Sequence, residues 1–313
     1  MIYDIKNMRT FFDTAWERHR IYVLKSLGYE KPWTKDKIYQ RYYFCNVFRS
    51  LDKTSQYLIE LIKKNEHRPD LWKTIMLFRY ISRLSTYEKL KGHEFDFKWM
   101  YHKLWDMKRA GDTVFTGAFI LSSAKDKSKI NYIFSLLTHI EGYLIPFDET
   151  LQKTQSIKEI CNGIIYLPGI GPFMAYQYCM DFLYSSRYMR NVTDKYTWTI
   201  LGKGAVRGMN RILFNKPKSP SSLYLQKSRA LYDLDFANDV FLYWLQEIVD
   251  NLNKEIIKTY NIVRKVTDYN GISGMISDLY KPFRKLHMGN VEHWLCEYDK
   301  YCRGYFKRVY RGV

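Results

Sequence analysis

Apolar residues recur at helical spacing along most of the chain. In "NVFRSLDKTSQYLIELIKKN" (46–65), Val47, Leu51, Leu58, Leu61 and Ile62 fall on one side, and closing lysines suit a helix C-terminus. "RPDLWKTIMLFRYISRL" (68–84) opens with Pro69 and Asp70 near a helix start and continues amphipathic. "NYIFSLLTHIEGYLI" (131–145), "FANDVFLYWLQEIVDNLNKEIIKTY" (236–260) and "VEHWLCEYDKYCRGYF" (291–306) repeat the period. Alternating strand patterns between turn pairs are few. The stretch "FNKPKSPSSLY" (214–224) is the clearest loop, placed to separate two lobes, and there is no internal repeat or low-complexity tract. The pattern predicts an all-α fold. It reads as one helical domain over 1–313, with an N-terminal lobe to about residue 150 and a second lobe from about residue 151.

One joint between helices carries chemistry. "YLPGIGPFMAYQYCMDFLYSS" (166–186) holds two glycines just before a helical run. A phosphate loop of the GxxxxGK[ST] type needs a lysine and a hydroxyl that "GIGPFMA" lacks. A dinucleotide loop needs a third glycine where Met174 stands. A tight hairpin fits: Gly169 and Gly171 permit positive φ, Ile170 sits between them, and Pro172 takes the first helical turn. The exposed amides, backed by a helix dipole, form a site for one nucleic-acid phosphate, and a plain helix–helix turn is the bland alternative.

Charge favours the phosphate. Fifty Lys and Arg stand against 32 Asp and Glu, a formal net charge of +18, which suits a polyanion. No apolar run is long enough to span a bilayer, and the N-terminus lacks a signal-peptide pattern, so an intracellular protein without a membrane role is expected. Cys45, Cys161, Cys179, Cys296 and Cys302 form no CxxC pair, and the seven histidines show no ligand spacing, so no disulfide framework and no metal site is legible. Twenty-eight tyrosines offer rings for stacking on unpaired bases.

"LPGIG" before a helix resembles the hairpin of the helix-hairpin-helix DNA glycosylase superfamily, whose catalytic aspartate follows the hairpin helix; Asp194 in "RNVTDKYTW" lies at about that remove. Five blocks, in order, are more specific. They are "FCNVFRSLDKTSQYL" (44–58), "VFTGAFI" (114–120), "GIGPFMAYQYCMDFLYS" (169–185), "GKGAVRGMNRI" (202–212) and "VEHWLCEYDKY" (291–301). Together they resemble the α-glutamyl/putrescinyl thymine pyrophosphorylase family, also described as amino acid:DNA transferases, which are largely phage proteins. The resemblance covers about residues 40 to 303. It implies a glycosylase-like helical fold and a substitution chemistry. An amino acid or polyamine would displace phosphate or pyrophosphate from activated 5-hydroxymethyluracil in double-stranded DNA. A separate 5-hydroxymethyluracil DNA kinase would supply the activation, since this sequence has no phosphate loop. No cofactor is implied, Mg²⁺ being the one ion the leaving group could recruit, and a phage protein would act in the host cytoplasm.

That chemistry needs base flipping, cations for the leaving group and a base for the amine. Lys203 and Arg207, with Arg211 nearby, offer the cations among glycines that permit close approach, or else a contact to backbone phosphate alone. The candidate carboxylates are Asp181, Glu297, Asp52 and Asp194, with Asp299 also in range. Asp181 lies one turn beyond Gln177 on the hairpin helix and either acts as the base or pairs with an arginine. Asn46, Arg49 and Asp52 step by three along an expected helix and share a face, either solvated or lining a cleft. Glu292, Glu297, Asp299 and Lys300 cannot all face one way on a helix, so some are expected at the surface. Thr116 and Gly117 fit the wall of a pocket. The runner-up is a monofunctional DNA glycosylase using Asp194, since Phe173 occupies the position of the lyase lysine; a non-catalytic DNA binder is the third class.

Overall fold

The computed structural model describes residues 5–117, 128–143, 146–215 and 287–304. The expected helix at 236–260, most of the 214–224 loop and residues 118–120 lie outside them. Among the described residues every regular element is helical. The chain divides into two units at other places than sequence order indicated. Ser50–Asp194 form one unit, and Met1–Arg49 join Lys195–Val313 in the other, so the boundary near residue 150 is replaced by two crossings.

The continuous unit holds α3 (Lys53–Asn65), α4 (Leu71–Ile81), α5 (Leu84–Leu90), α6 (Phe97–Arg109), α7 (Lys129–Glu141), α8 (Phe147–Lys153), α9 (Ile157–Ile165) and α10 (Pro172–Phe182). Helix α4 starts at Leu71, directly after Pro69 and Asp70 as expected, with the Asp70 carboxylate paired to Arg68 and not capping the helix, and ends on Ser82 in the left-handed region. Nearly all of α4 is buried, from Leu71 and Trp72 to Tyr80 and Ile81, and it packs on α3, α7 and α10. Helix α9 is amphipathic, burying Ile157, Ile160, Cys161 and Ile164, and it packs against α10, which is buried from Met174 to Phe182.

The discontinuous unit holds α1 (Ile5–Ser26), α2 (Lys37–Arg41), α11 (Lys203–Phe214) and α12 (Met288–Arg303). Phe11, Val47, Phe48, Met209, Trp294 and Leu295 fill its core, and Phe11 meets Tyr298 edge to face at 5.3 Å. Asp36 caps α2 through two backbone N–H groups and also accepts the Tyr301 hydroxyl at 2.7 Å, tying α2 to α12. Two glycines of α11, Gly204 and Gly208, set its distance from α12. A Cβ on Gly208 would lie 2.1 Å from the Leu295 carbonyl oxygen, and one on Gly204 would lie 2.7 Å from Cys296 Sγ. Side chains there would hold the helices apart; their absence lets backbones touch.

The expected helix over 46–65 is shorter than its pattern. Residues 43–48 are non-helical, Arg49–Leu51 make a single 3₁₀ turn, and α3 begins only at Lys53, with Asp52 in the capping position. Val47 and Phe48 are buried by tertiary packing, not by a helical face.

Candidate functional site

The hairpin forms as the glycines required, with one correction. Gly169 takes φ +78, but Gly171 takes φ −91 in extended backbone, so only Gly169 uses the left-handed region. Tyr132 of α7 fixes the turn by donating its hydroxyl to the Pro168 carbonyl at 2.7 Å. Ile170 is buried and its N–H donates to Leu167, which takes that amide out of any phosphate site. Gly169 and Gly171 remain exposed beside Tyr166, which is 88% accessible.

The carboxylates expected for catalysis in this unit carry structural bonds. Asp181 is fully buried and accepts both Nε and Nη2 of Arg79, at 2.5 and 2.6 Å, joining α10 to α4. The arginine pair is therefore the role its surroundings give it, with no face left toward solvent. Gln177 is buried on the same helix. Asp194 receives the Ser156 hydroxyl and the N–H groups of Ile157 and Lys158, at 2.8, 2.8 and 3.1 Å, capping the start of α9. Thr116 is half-buried and donates its N–H to Ile81. A Cβ at Gly117 would meet nothing within 4 Å among the described residues. Asn46, Arg49 and Asp52 share no helix and fall on both sides of the unit boundary.

The discontinuous unit gathers the larger set. Asn46 and Arg49 are buried, and the Arg49 N–H donates to the Asn290 side-chain oxygen at 3.1 Å. Next to Asn290 on α12, Glu292 is only 2% exposed and accepts the Gly202 N–H at 3.1 Å at the head of α11. Burial pushes the Glu292 carboxyl up to about 7, against the lowering effect of the Gly202 amide and the Arg49 charge. Desolvation, with the charges of Arg49 and Lys195, pulls the His287 imidazole down to about 4. The Cys296 thiol lies 3.9 Å from Glu292, and burial pushes it well up. His287 Nδ1, Thr199 Oγ1 and Trp294 Nε1 are buried with no hydrogen-bond partner among the described residues, each an outlay of about 1–3 kcal/mol.

Two further expected residues hold the backbone in place. Glu297 accepts the Cys45 N–H at 2.9 Å, and Lys300 donates to the Tyr43 carbonyl and to Glu297 while lying 4.7 Å over the Phe44 ring. They clamp the segment that leads into Asn46 and Arg49. Arg207 and Arg211 both reach Asp299, whereas Lys203 points to solvent at the first position of α11. Glu292 and Asp299 are buried and Glu297 and Lys300 are half-buried, Lys300 reaching the surface as the helical wheel required of some of the four, while α11 and residues 43–45 supply partners on several sides of α12. Glu292 is the residue sequence reasoning passed over; its signal was an acid within "NVEHWLCE", two residues before a buried Trp.

The set in this unit is thus a buried Arg, a carboxyl poised to change protonation near neutrality, two buried amides and an imidazole held neutral. It can donate and accept hydrogen bonds to a polar planar group and can take a proton. No helix of the described residues is long and apolar enough to cross a membrane. No solved structure matches the chain. A 5-hmdU DNA kinase of Bacillus phage SP10 is 26% identical over 194 residues, covering 55% of this chain and 30% of that protein, so the chain spans under a third of that relative's length. Residues 6–311 match the family described as 5-hmdU DNA kinase, helical domain, and the chain belongs to that family.

Proposed function

We propose that this chain recognises 5-hydroxymethyldeoxyuridine in DNA and takes part in the hypermodification of that base, receiving the pyrimidine in the Glu292–Arg49 site. The observation that carries the reading is the burial of the Arg49 and Glu292 side chains within one unit, close enough for the arginine's charge to act on the carboxyl, a costly arrangement in a core and a useful one around a base edge. Membership of the helical-domain family supports the choice of base. The relative is named a kinase; these 313 residues contain no GxxxxGK[ST] loop, so the reading gives them recognition of the base and not ATP binding. A charge of +18 and the exposed hairpin glycines supply sequence-independent affinity for double-stranded DNA. If phage-encoded like its relative, the protein works in the host cytoplasm.

The test is fluorescence anisotropy with duplexes that differ by one base, thymine or 5-hydroxymethyluracil, over a salt series. The expected result is steep salt dependence for both, with tighter binding of the modified duplex that Arg49→Gln abolishes. Equal affinity for both duplexes in the wild type would overturn the reading.

The near-neutral carboxyl of Glu292 favours a second reading, amine transfer. The nitrogen lone pair of an amino acid or polyamine attacks the exocyclic carbon of the phosphorylated base. The carbon–oxygen bond breaks, phosphate or pyrophosphate leaves with the electron pair, and the surplus ammonium proton passes to Glu292. Mass spectrometry of nucleosides, after kinase, ATP and mixed amines, reads an amine adduct if this holds. Abasic sites instead would indicate a glycosylase, and an unchanged nucleoside would leave recognition as the whole function.

A further inference from the structure

Asp299 lies on α12 two turns beyond Glu292 on the same face, about 10 Å along the axis. Its carboxylate is fully buried and faces three guanidinium groups: Arg207 Nε at 2.7 Å, Arg211 Nε at 2.9 Å and Arg303 Nε at 3.1 Å. Among the described residues one negative charge offsets one of three positive ones, so the cluster keeps two. All three arginines engage Asp299 through Nε, and among the described residues their terminal Nη groups make no hydrogen bond. The Arg207 and Arg303 side chains are 40% and 53% exposed, so the group opens to solvent on one side while Asp299 anchors it from beneath.

We propose that this trio is an anion clamp for the phosphate monoester, or the diphosphate, carried on the 5-methylene of the modified pyrimidine. A phosphate monoester is close to dianionic at neutral pH and matches the two uncompensated charges; a backbone diester carries one and leaves the cluster half-neutralised. Guanidinium forks bind phosphate through paired N–H donors, and anchoring on one buried carboxylate aims three of them without further ordering. Placement on the same α12 face as Glu292 fits a ligand with a base at one end and an anion at the other. The inference rests on the proposed base recognition and adds the activated ester as the preferred ligand.

The test uses the full chain with inorganic pyrophosphate as probe. Calorimetry is expected to show pyrophosphate binding, weakened at least tenfold in Arg303→Gln, an exposed position where folding is not at stake, and likewise in Arg207→Gln. Pyrophosphate should also displace a duplex carrying 5-(phosphomethyl)uracil more readily than an unmodified one. Absence of pyrophosphate binding, binding unaffected by Arg303→Gln, or equal displacement of both duplexes would each overturn the clamp. Preference for unphosphorylated 5-hydroxymethyluracil over thymine is measured separately, so the clamp can fail while base recognition stands.

Discussion

Replacing Gly208 by alanine tests whether the contact of α11 with α12 builds the site. In an ordinary exposed helix the change stabilises by about 1 kcal/mol, because glycine costs that much in a helix interior. Here the new Cβ would fall 2.1 Å from the Leu295 carbonyl oxygen, 2.8 Å from its carbon and 3.2 Å from its Cα, all backbone atoms. Reaching an ordinary contact of 3.4 Å means parting the helices by about 1.3 Å, the difference between 3.4 and 2.1. That exceeds what the Gly202–Glu292 bond at 3.1 Å or the Arg207–Asp299 bond at 2.7 Å can absorb. Overpacking of this kind costs about 1–3 kcal/mol, and stretching a buried ion network adds to it, so a net loss of at least about 2 kcal/mol is expected. Gly163 is the internal control: it lies within α9, exposed, with nothing within 4 Å of its would-be Cβ. Gly163→Ala should stabilise by about 0.5–1 kcal/mol. Urea unfolding followed by hydrogen exchange in peptides of α9, α11 and α12 reads both variants locally. The opposite sign at the two glycines is the prediction; stabilisation by Gly208→Ala would refute the close-contact argument and the site built upon it.

Two other outcomes follow from the charges. Glu292 has its folded pKa raised from 4.5 to about 7, so its contribution is present below about pH 4.5 and is lost as pH rises to about 7, a fall of about 3 kcal/mol that Glu292→Gln should remove from the stability–pH curve. His287, lowered to about 4, acts oppositely between about 4 and 6.5, so the comparison is between wild type and variant at each pH; identical curves would count against a buried, shifted Glu292. Breaking the Arg79–Asp181 pair by Arg79→Ala should cost about 3–5 kcal/mol in urea midpoint measurements, while Arg79→Leu with Asp181→Leu should recover most of it.

The helices were legible because their periodic apolar faces are local: α4 begins just after Pro69 and Asp70, and α10 at Pro172, as the turn residues foretell. The start of α3 was not, because Val47 continues its spacing by coincidence while being buried by distant packing. Asn46, Arg49, Arg207 and Glu297 were named from the sequence, but their roles were not, and Asn290 and His287 were not named at all. Asp181 looks like a base until Arg79, 102 residues away, is seen to occupy both oxygens. Glu292 looks like one more solvated acid until Gly202, 90 residues away, and the buried face of α12 enclose it. Pairings across such separations leave no periodic trace. The glycine pair of α11 did leave one, at i and i+4, and its meaning appears only when α12 is laid against it.

The double crossing of the chain between units also orders events at the ribosome. Ser50–Asp194 is synthesised as one uninterrupted piece and has its partners as soon as it emerges. Helix α1 has no such fortune, since α11 and α12, against which it packs, follow on the far side of that piece. At about 5–20 residues per second, the 261 residues between Ser26, the end of α1, and Met288, the start of α12, take on the order of 10–50 s to make. For that interval the early apolar face of α1 waits uncovered, and a chaperone or a nascent neighbour has its chance at Phe11 and Val23 before Trp294 arrives.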